Sequence, residues 1–472
     1  MTTARTRRWL ARTAGVLVAA AVAGAAMPAA EARPLKGDTS RVSEGPKGEQ
    51  LDGTSSALGL SADGRSALFT STATNLLPGA GTPNSDEVYV RDLRNGHVER
   101  VSVAADGSKL DAATNQASIS GDGRYVAFST AATNVLPGQP KHGNDVFVRD
   151  RWTGRTELIT APGSASTDDQ SIRTADSPTL SWDGRFVAYA SSRTDLAPGV
   201  KRGKNNIYVT DRWTHTTRLV TSGTEGEGAD NNSFSPTISA DGSTVGFGSR
   251  AGNLLPGTPA PAADPATDPA TGADTAPGAG SPQLAGPKFY PYYVWKAGTG
   301  KIAGASLDGT GALSDGGRDG RISPDGRYAI YSLPVFIGGA PAPAHGIRMD
   351  VYVHELATGK ITKVNTDLPG TTAKWSSSGG VMTLDDRWVY FDSAAENLVP
   401  DDTNSASDIF RRDLWTGRIE RISLTRSGGQ STASSYGPYV DATGDTVIFD
   451  ASDGDLVPGD SNTFLDVFLR RL

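Results

Sequence analysis

The sequence predicts an all-β fold, a seven-bladed β-propeller of four-stranded antiparallel blades, on three observations. A turn of the Asp-Gly-Arg type falls at Asp63, Asp122, Asp183, Asp241, Asp325, Asp385 and Thr443, at spacings of 59, 61, 58, 84, 60 and 58 residues. Each interval holds four short apolar runs punctuated by glycine turns, the arrangement of a propeller blade. The seventh unit ends at Leu472 after three such runs, and an orphan "SRVS" at 40–43 stands ahead of the first. That phrase matches the closing run of other units, as in "ERVS" at 99–102 and "ERIS" at 420–423. An open ring leaves bare strand edges, so the orphan is expected to supply the outer strand of blade seven.

The elements follow in chain order. Residues 1–32 read as an export leader, with Arg5, Arg7, Arg8 and Arg12 ahead of a short apolar stretch from Ala14 to Ala26 and a small-residue cleavage site. The Arg7-Arg8 pair resembles a twin-arginine signal, and an ordinary secretory leader fits the same residues. The propeller domain then occupies 33–472. In the second unit, "ASIS", "YVAFST", "DVFVRD" and "TELIT" are the four strands, joined by "GDG", a longer "ATNVLPG" loop and "RWTGR". The third unit repeats the scheme as "SPTLSWDGRFVAYASS", "NNIYVTD" and "TTRLVT". The 84-residue interval contains an Ala/Pro-rich insert at 258–289, expected to be disordered because its composition offers no core. Tight turns follow the first and third strands and long loops the others, so the long-loop face is the expected binding surface.

Bulk properties narrow the function classes. The chain has no cysteine, which excludes disulfides and a lipidated cysteine anchor. Formal charge is −7, and removing a leader of net +3 leaves about −10. A surface of that sign repels phosphate backbones, so no nucleic-acid partner is expected. No segment after the leader is apolar enough to span a bilayer.

"SPDGRYAIYS" at 323–332, "SWDGRFVAYASSRTDLAPG" at 181–199 and "NNIYVTDRWTHTTRLVT" at 205–221 resemble the repeats of TolB-type, or WD40-like (PD40), propellers. The resemblance covers nearly all of 40–472 and implies the blade type. Many unrelated proteins share this repeat, so it implies no function by itself; with the leader, the best reading is a secreted binding or scaffolding module, at the cell wall or free outside the membrane, and monomeric. Its partner would be an exported protein or a wall polymer. TolB itself carries an extra domain before six blades, so its particular role does not transfer.

Candidate chemistry is sparse. Asp402, Asn404 and Asp408, and likewise Asp460, Asn462 and Asp466, place oxygens two and six residues apart in a loop, a spacing calcium can use. The competing reading is turn initiation and strand capping; no cofactor is otherwise expected. The residue opening each third strand is Glu87, Asp145, Asn206, Pro291, Asp350, Asp408 and Asp466, best read as hydrogen bonding within the ring rather than a polyvalent site. His97, His142, His215, His345 and His354 show no ligand spacing. There is no G-x-S-x-G and no phosphate-binding loop. The aromatic run "FYPYYVW" at 289–295 suggests a sugar platform in isolation, but Tyr292, Tyr293 and Val294 fall in the third strand of blade four, so about half of the run should be buried. Trp152, Trp213 and Trp415 read as packing between strands rather than as ligand stackers. The alternative to a module is an extracytoplasmic propeller enzyme, a glycan lyase or lactonase-like hydrolase with a metal at the channel. Its site would cluster where the innermost strands begin, around Ser118, Ser177, Ser235, Asp319, Gly379 and Gly437, and those residues are mostly small and neutral.

Overall fold

The computed structural model describes residues 37–472 except 80–84, 140–142, 162–173, 201–202, 258–288, 337–345, 368–369 and 453. The leader and nearly all of the Ala/Pro-rich insert lie outside the described residues. Twenty-eight strands form seven four-stranded antiparallel sheets, and the described residues contain no helix. Each blade from the first to the sixth is built from four consecutive strands. Blade two, for example, comprises Gln116–Ile119, Tyr125–Thr130, Asp145–Asp150 and Arg155–Leu158, close to the four runs expected.

The seventh blade is made from both ends of the chain. Ser434–Val440, Thr446–Ser452 and Leu465–Arg471 are joined by Asp38–Arg41, which pairs antiparallel to the last strand with Arg41 opposite Phe468. The Val42 N–H donates to the Val467 carbonyl at 2.7 Å, the same bond that Val101 makes to Val88 and Ile422 to Ile409 in complete blades. Val42 is buried among Leu51, Ile448 and Leu469. The ring is therefore closed as the orphan strand predicts.

A repeated turn explains the sequence period. Ser61, Ser120, Ser181, Ser239 and Ser323 each donate a hydroxyl to the turn aspartate two residues on, at 2.6–2.7 Å, and Thr383 does the same to Asp385. The next residue takes a positive φ, and it is glycine in six blades. In blade six it is Asp386, at φ 57°. Every blade also stacks one aromatic pair directly across its second and third strands, from Phe69–Tyr89 in blade one to Phe449–Phe468 in blade seven, with centroids 5.7–6.2 Å apart.

In the aromatic run 289–295, Tyr292, Tyr293, Val294 and Trp295 are buried, while Phe289 and Tyr290 are partly exposed. A propeller blade packs a neighbour against both faces, so a middle strand has no solvent side.

Candidate functional site

The acids that open the third strands are held inside the ring. Asp408 accepts from the Ser423 hydroxyl at 2.5 Å, Asp145 from Thr160 at 2.6 Å and Asp466 from Ser43 at 2.6 Å. Basic residues of the fourth strands pair with the same acids: Arg100 with Glu87, Lys363 with Asp350, Arg421 with Asp408 and Arg41 with Asp466. The repeats keep charge matched. Blade two has Leu158 in place of that base, and Arg193 reaches in from blade three to Asp145 at 3.1 Å. Blade three has Leu219 and the acid becomes Asn206; blade four has Gly304 and Pro291. Buried charge requires a partner, and the ring supplies one wherever the acid is present.

The candidate calcium ligands belong to this system. Arg421 contacts both Asp402 (3.1 Å) and Asp408 (3.4 Å), and Arg41 contacts both Asp460 (3.2 Å) and Asp466 (3.6 Å). The Asn404 amide donates to Asp408 at 3.1 Å and to the Ser431 carbonyl, and Asn462 donates to the Leu51 carbonyl. A guanidinium is thus the counter-ion these carboxylates share. Burial still pushes Asp408 and Asp466 up to about 6, against the pull of Arg421 and Arg41. Among the described residues no three His, Cys, Asp or Glu side chains gather in a metal-holding group. His354 is buried and its Nδ1 lies 2.9 Å from the Ala305 carbonyl of the preceding blade. His142 and His345 lie outside the described residues.

The axial channel holds a second group of polar residues. The positions named from sequence all lie on innermost strands. Five of them take positive φ: Ser177 (52°), Ser235 (47°), Asp319 (58°), Gly379 (69°) and Gly437 (60°), each at a break in strand register. The bulge amide is satisfied from the preceding blade. Ser177 N–H donates to Gln116 at 2.7 Å, and Ala57 N–H, at the matching position of blade one, donates to Asp450 at 2.7 Å. Two carboxylates here were missed by sequence reasoning. Asp392 and Asp450 occupy one second-strand position that reads Thr70, Ser129, Ala190, Gly248 and Ser332 in the other blades. That departure from small, neutral residues was the available signal. Burial pushes Asp392 up to about 7, opposed by the Ser378 hydroxyl at 2.7 Å. Burial also holds Asp450 well above the usual carboxylate range. Arg321 of blade five reaches the Tyr439 ring of blade seven, 4.9 Å from its centroid.

The outer surface departs most from expectation. Trp152, Trp213 and Trp415 are 65–71% exposed and are not packed between strands. Each covers the arginine of its own Asp-Gly-Arg or Asp-Asp-Arg turn: Arg124 at 4.7 Å, Arg185 at 4.6 Å and Arg387 at 5.1 Å from the ring centroid. Each guanidinium also lies over a second ring, Tyr125, Phe186 or Trp388, at 4.7–5.0 Å from its centroid. Asp150, Asp211 and Asp413 fix those arginines at 2.6–2.8 Å. The Arg124 and Arg185 hydrogen bonds hold Asp150 and Asp211 down at about 2. The same turn position is Arg94, Gly298 and Ala357 in other blades, so the blade does not require an indole there. These stacks lie on the tight-turn face, opposite the long loops. The long-loop face carries a cavity of about 580 Å³ lined by residues that include Arg426, Asp455 and Asp460.

No protein-family model and no curated protein matches the chain. Solved structures do. An oligogalacturonate lyase in complex with manganese is 11% identical, with a TM-score of 0.51, over 92% of this chain and 93% of that one. An acylaminoacyl peptidase from Pyrococcus horikoshii is 11% identical with a TM-score of 0.47, over 89% of this chain but 52% of its own. TolB from Acinetobacter baumannii is 13% identical with a TM-score of 0.34, over 83% and 77%. Similarity at this level of identity establishes the propeller fold and nothing finer.

Proposed function

We propose that this chain is an extracytoplasmic binding module that presents the tight-turn face of its ring to an exported protein or wall polymer. The observation that carries the reading is the set of three exposed indoles, each held flat on an immobilised arginine. Exposed, rigid aromatic side chains are what binding surfaces use as anchors. The acids that could have served chemistry are instead committed to closing blades. The leader read from residues 1–32 supports the location.

The test is capture from the native cell surface with the leaderless chain and with a Trp152→Ala, Trp213→Ala, Trp415→Ala triple variant. The variant should keep the thermal midpoint within a few degrees, because the three positions tolerate Gly and Ala elsewhere in the ring, and should lose the captured partner. Full capture by the triple variant counts against the reading.

One observation favours a second reading, a propeller enzyme working at its axis. Burial beside the innermost strands pushes Asp392 up to about 7, the range in which a general acid or base is effective. The resemblance to the oligogalacturonate lyase supplies the ring for such chemistry but not the substrate. Turnover of a uronate-containing oligosaccharide that Asp392→Asn abolishes would establish this alternative.

A further inference from the structure

Two seams between blades are filled by an arginine, and a third, where leucine stands at the same position, holds a cavity. Between blades one and two, Arg151 lies in the seam, bonded through Nε to Glu99 at 2.5 Å and donating to the Gly123 carbonyl of the turn. Between blades two and three, Arg212 does the same, with Glu157 at 3.1 Å and the Gly184 carbonyl at 2.6 Å, and its guanidinium covers the Tyr125 ring at 4.5 Å. Arg151 and Arg212 sit at one position of the repeat, where the backbone N–H donates to the carbonyl of the turn arginine. In blade six that position is Leu414, which donates to the Arg387 carbonyl. The residue across the seam, paired with Val353 as Glu99 is with Val90 and Glu157 with Val148, is Thr362.

Leucine or alanine also holds the position in blades one, four, five and seven (Leu93, Ala297, Leu356 and Leu472), and with Thr362 across from it Leu414 leaves space. A cavity of about 280 Å³ opens there, lined by Val353, Thr362, Leu414, Tyr328 and Trp415, by the acids Glu355, Asp385 and Asp386, and by the cations Arg327 and Lys360. The Tyr125 ring carries a guanidinium on each side, Arg124 and Arg212, whereas Tyr328 carries only Arg327. Asp386 adds an independent sign. It occupies the left-handed turn position that is glycine in the other six blades. A Cβ on Gly184 would collide with Tyr125, so an aspartate fits only where the seam has opened. Asp386 is 6% exposed; its Oδ2 meets Arg327, and its Oδ1 is buried with no hydrogen-bond partner. A non-glycine residue in this conformation with an unpaired buried oxygen is strain of the kind kept for recognition.

We propose that the seam between blades five and six receives a guanidinium group, the arginine side chain of an exported polypeptide, in the place that Arg212 fills in the seam between blades two and three. The inference deepens the binding reading above and rests on it. The arginine stem would lie on Val353 and Leu414, its head between Tyr328 and Trp415, with Asp386 accepting its N–H groups through both the carbonyl and Oδ1.

The test titrates the leaderless chain with acetyl-Ala-Arg-Ala-amide, its citrulline counterpart and free arginine, followed by calorimetry. Saturable binding of the arginine peptide is expected, roughly tenfold or more tighter than of the citrulline peptide, which keeps the shape and loses the charge. A Leu414→Arg, Thr362→Glu double variant should refill the seam from within, abolish binding and leave the thermal midpoint equal or higher. Asp386→Gly restores the common turn residue, so it should fold normally and bind roughly fivefold or more weakly. Equal binding of the citrulline peptide, or undiminished binding by the refilled variant, overturns the proposal. Free arginine binding as tightly as the peptide overturns the polypeptide source. If the refilled variant still captures the surface partner that wild type captures, the guanidinium assignment falls and the binding-module reading stands.

Discussion

Single residues in this ring differ in consequence according to what their repeat position usually holds. Asp392 stands where other blades carry small neutral residues, and it is 9% exposed. Its carboxyl titrates at about 7 in the folded chain and near 4 when unfolded. Between those values the unfolded chain holds fewer protons, so stability falls as pH rises from about 4 through about 7 and levels off above. Asp392→Asn removes the ionising group while keeping its shape. The variant should match wild type near pH 4 and exceed it near pH 8, by roughly 2–4 kcal/mol as an upper range. Denaturant midpoints at the two pH values check this; a wild-type advantage at pH 8 would contradict the burial argument. Part of the slope should survive the substitution, since Asp450, Asp408 and Asp466 are displaced in the same direction.

At the scale of an element, the strand Asp38–Arg41 does more than extend a sheet. Its extension places Val42 in the core, and Ser43 both donates to Asp466 and accepts from the Val467 N–H at 2.9 Å. Thr39 donates to the Leu424 carbonyl of blade six and accepts from Arg470, a cation with no exposure. Removing residues 38–46 strips partners from buried charged groups as well as from a strand edge. The expected result is a thermal midpoint lowered by many degrees and a broadened transition. The milder Val42→Ala should cost roughly 2 kcal/mol, the scale of a truncated core side chain. Calorimetry of both variants tests closure, and an unchanged midpoint for the deletion would contradict it.

For the whole molecule, the ring determines which segments matter to stability. The second and third strands of blade four pair directly, Thr244 with Lys296 and Gly248 with Tyr292, although 258–289 separates them in sequence. Closing a long loop costs little more than closing a short one, because the penalty grows only logarithmically. Replacing 258–288 by a short Gly/Ser link should therefore leave the thermal midpoint unchanged or slightly raised. A collapse of the fold on that replacement would show that the insert takes part in the ring.

The fold was legible in the sequence because a propeller is written locally and repeatedly. The Ser-x-Asp-Gly turn, the aromatic of the second strand and the closing "RVS" each specify a contact within a few residues or at one blade's spacing. The displaced strand at 40–43 could be assigned because the seventh unit lacked its counterpart. The surface was less legible. Trp152, Trp213 and Trp415 read as packing because indoles are generally buried, and only the coordinates show a guanidinium beneath each and solvent above. Asp392, Asp450 and Asp386 are ordinary aspartates in a string of letters. Their meaning comes from enclosure and from the neighbouring blade. The sequence by itself determined the period, the strand count and the closure, because these follow from backbone hydrogen bonding and turn geometry along the chain. Only the tertiary structure decided which acids are paired and which seam holds a cavity, because those outcomes depend on side chains about sixty residues apart meeting across adjacent blades.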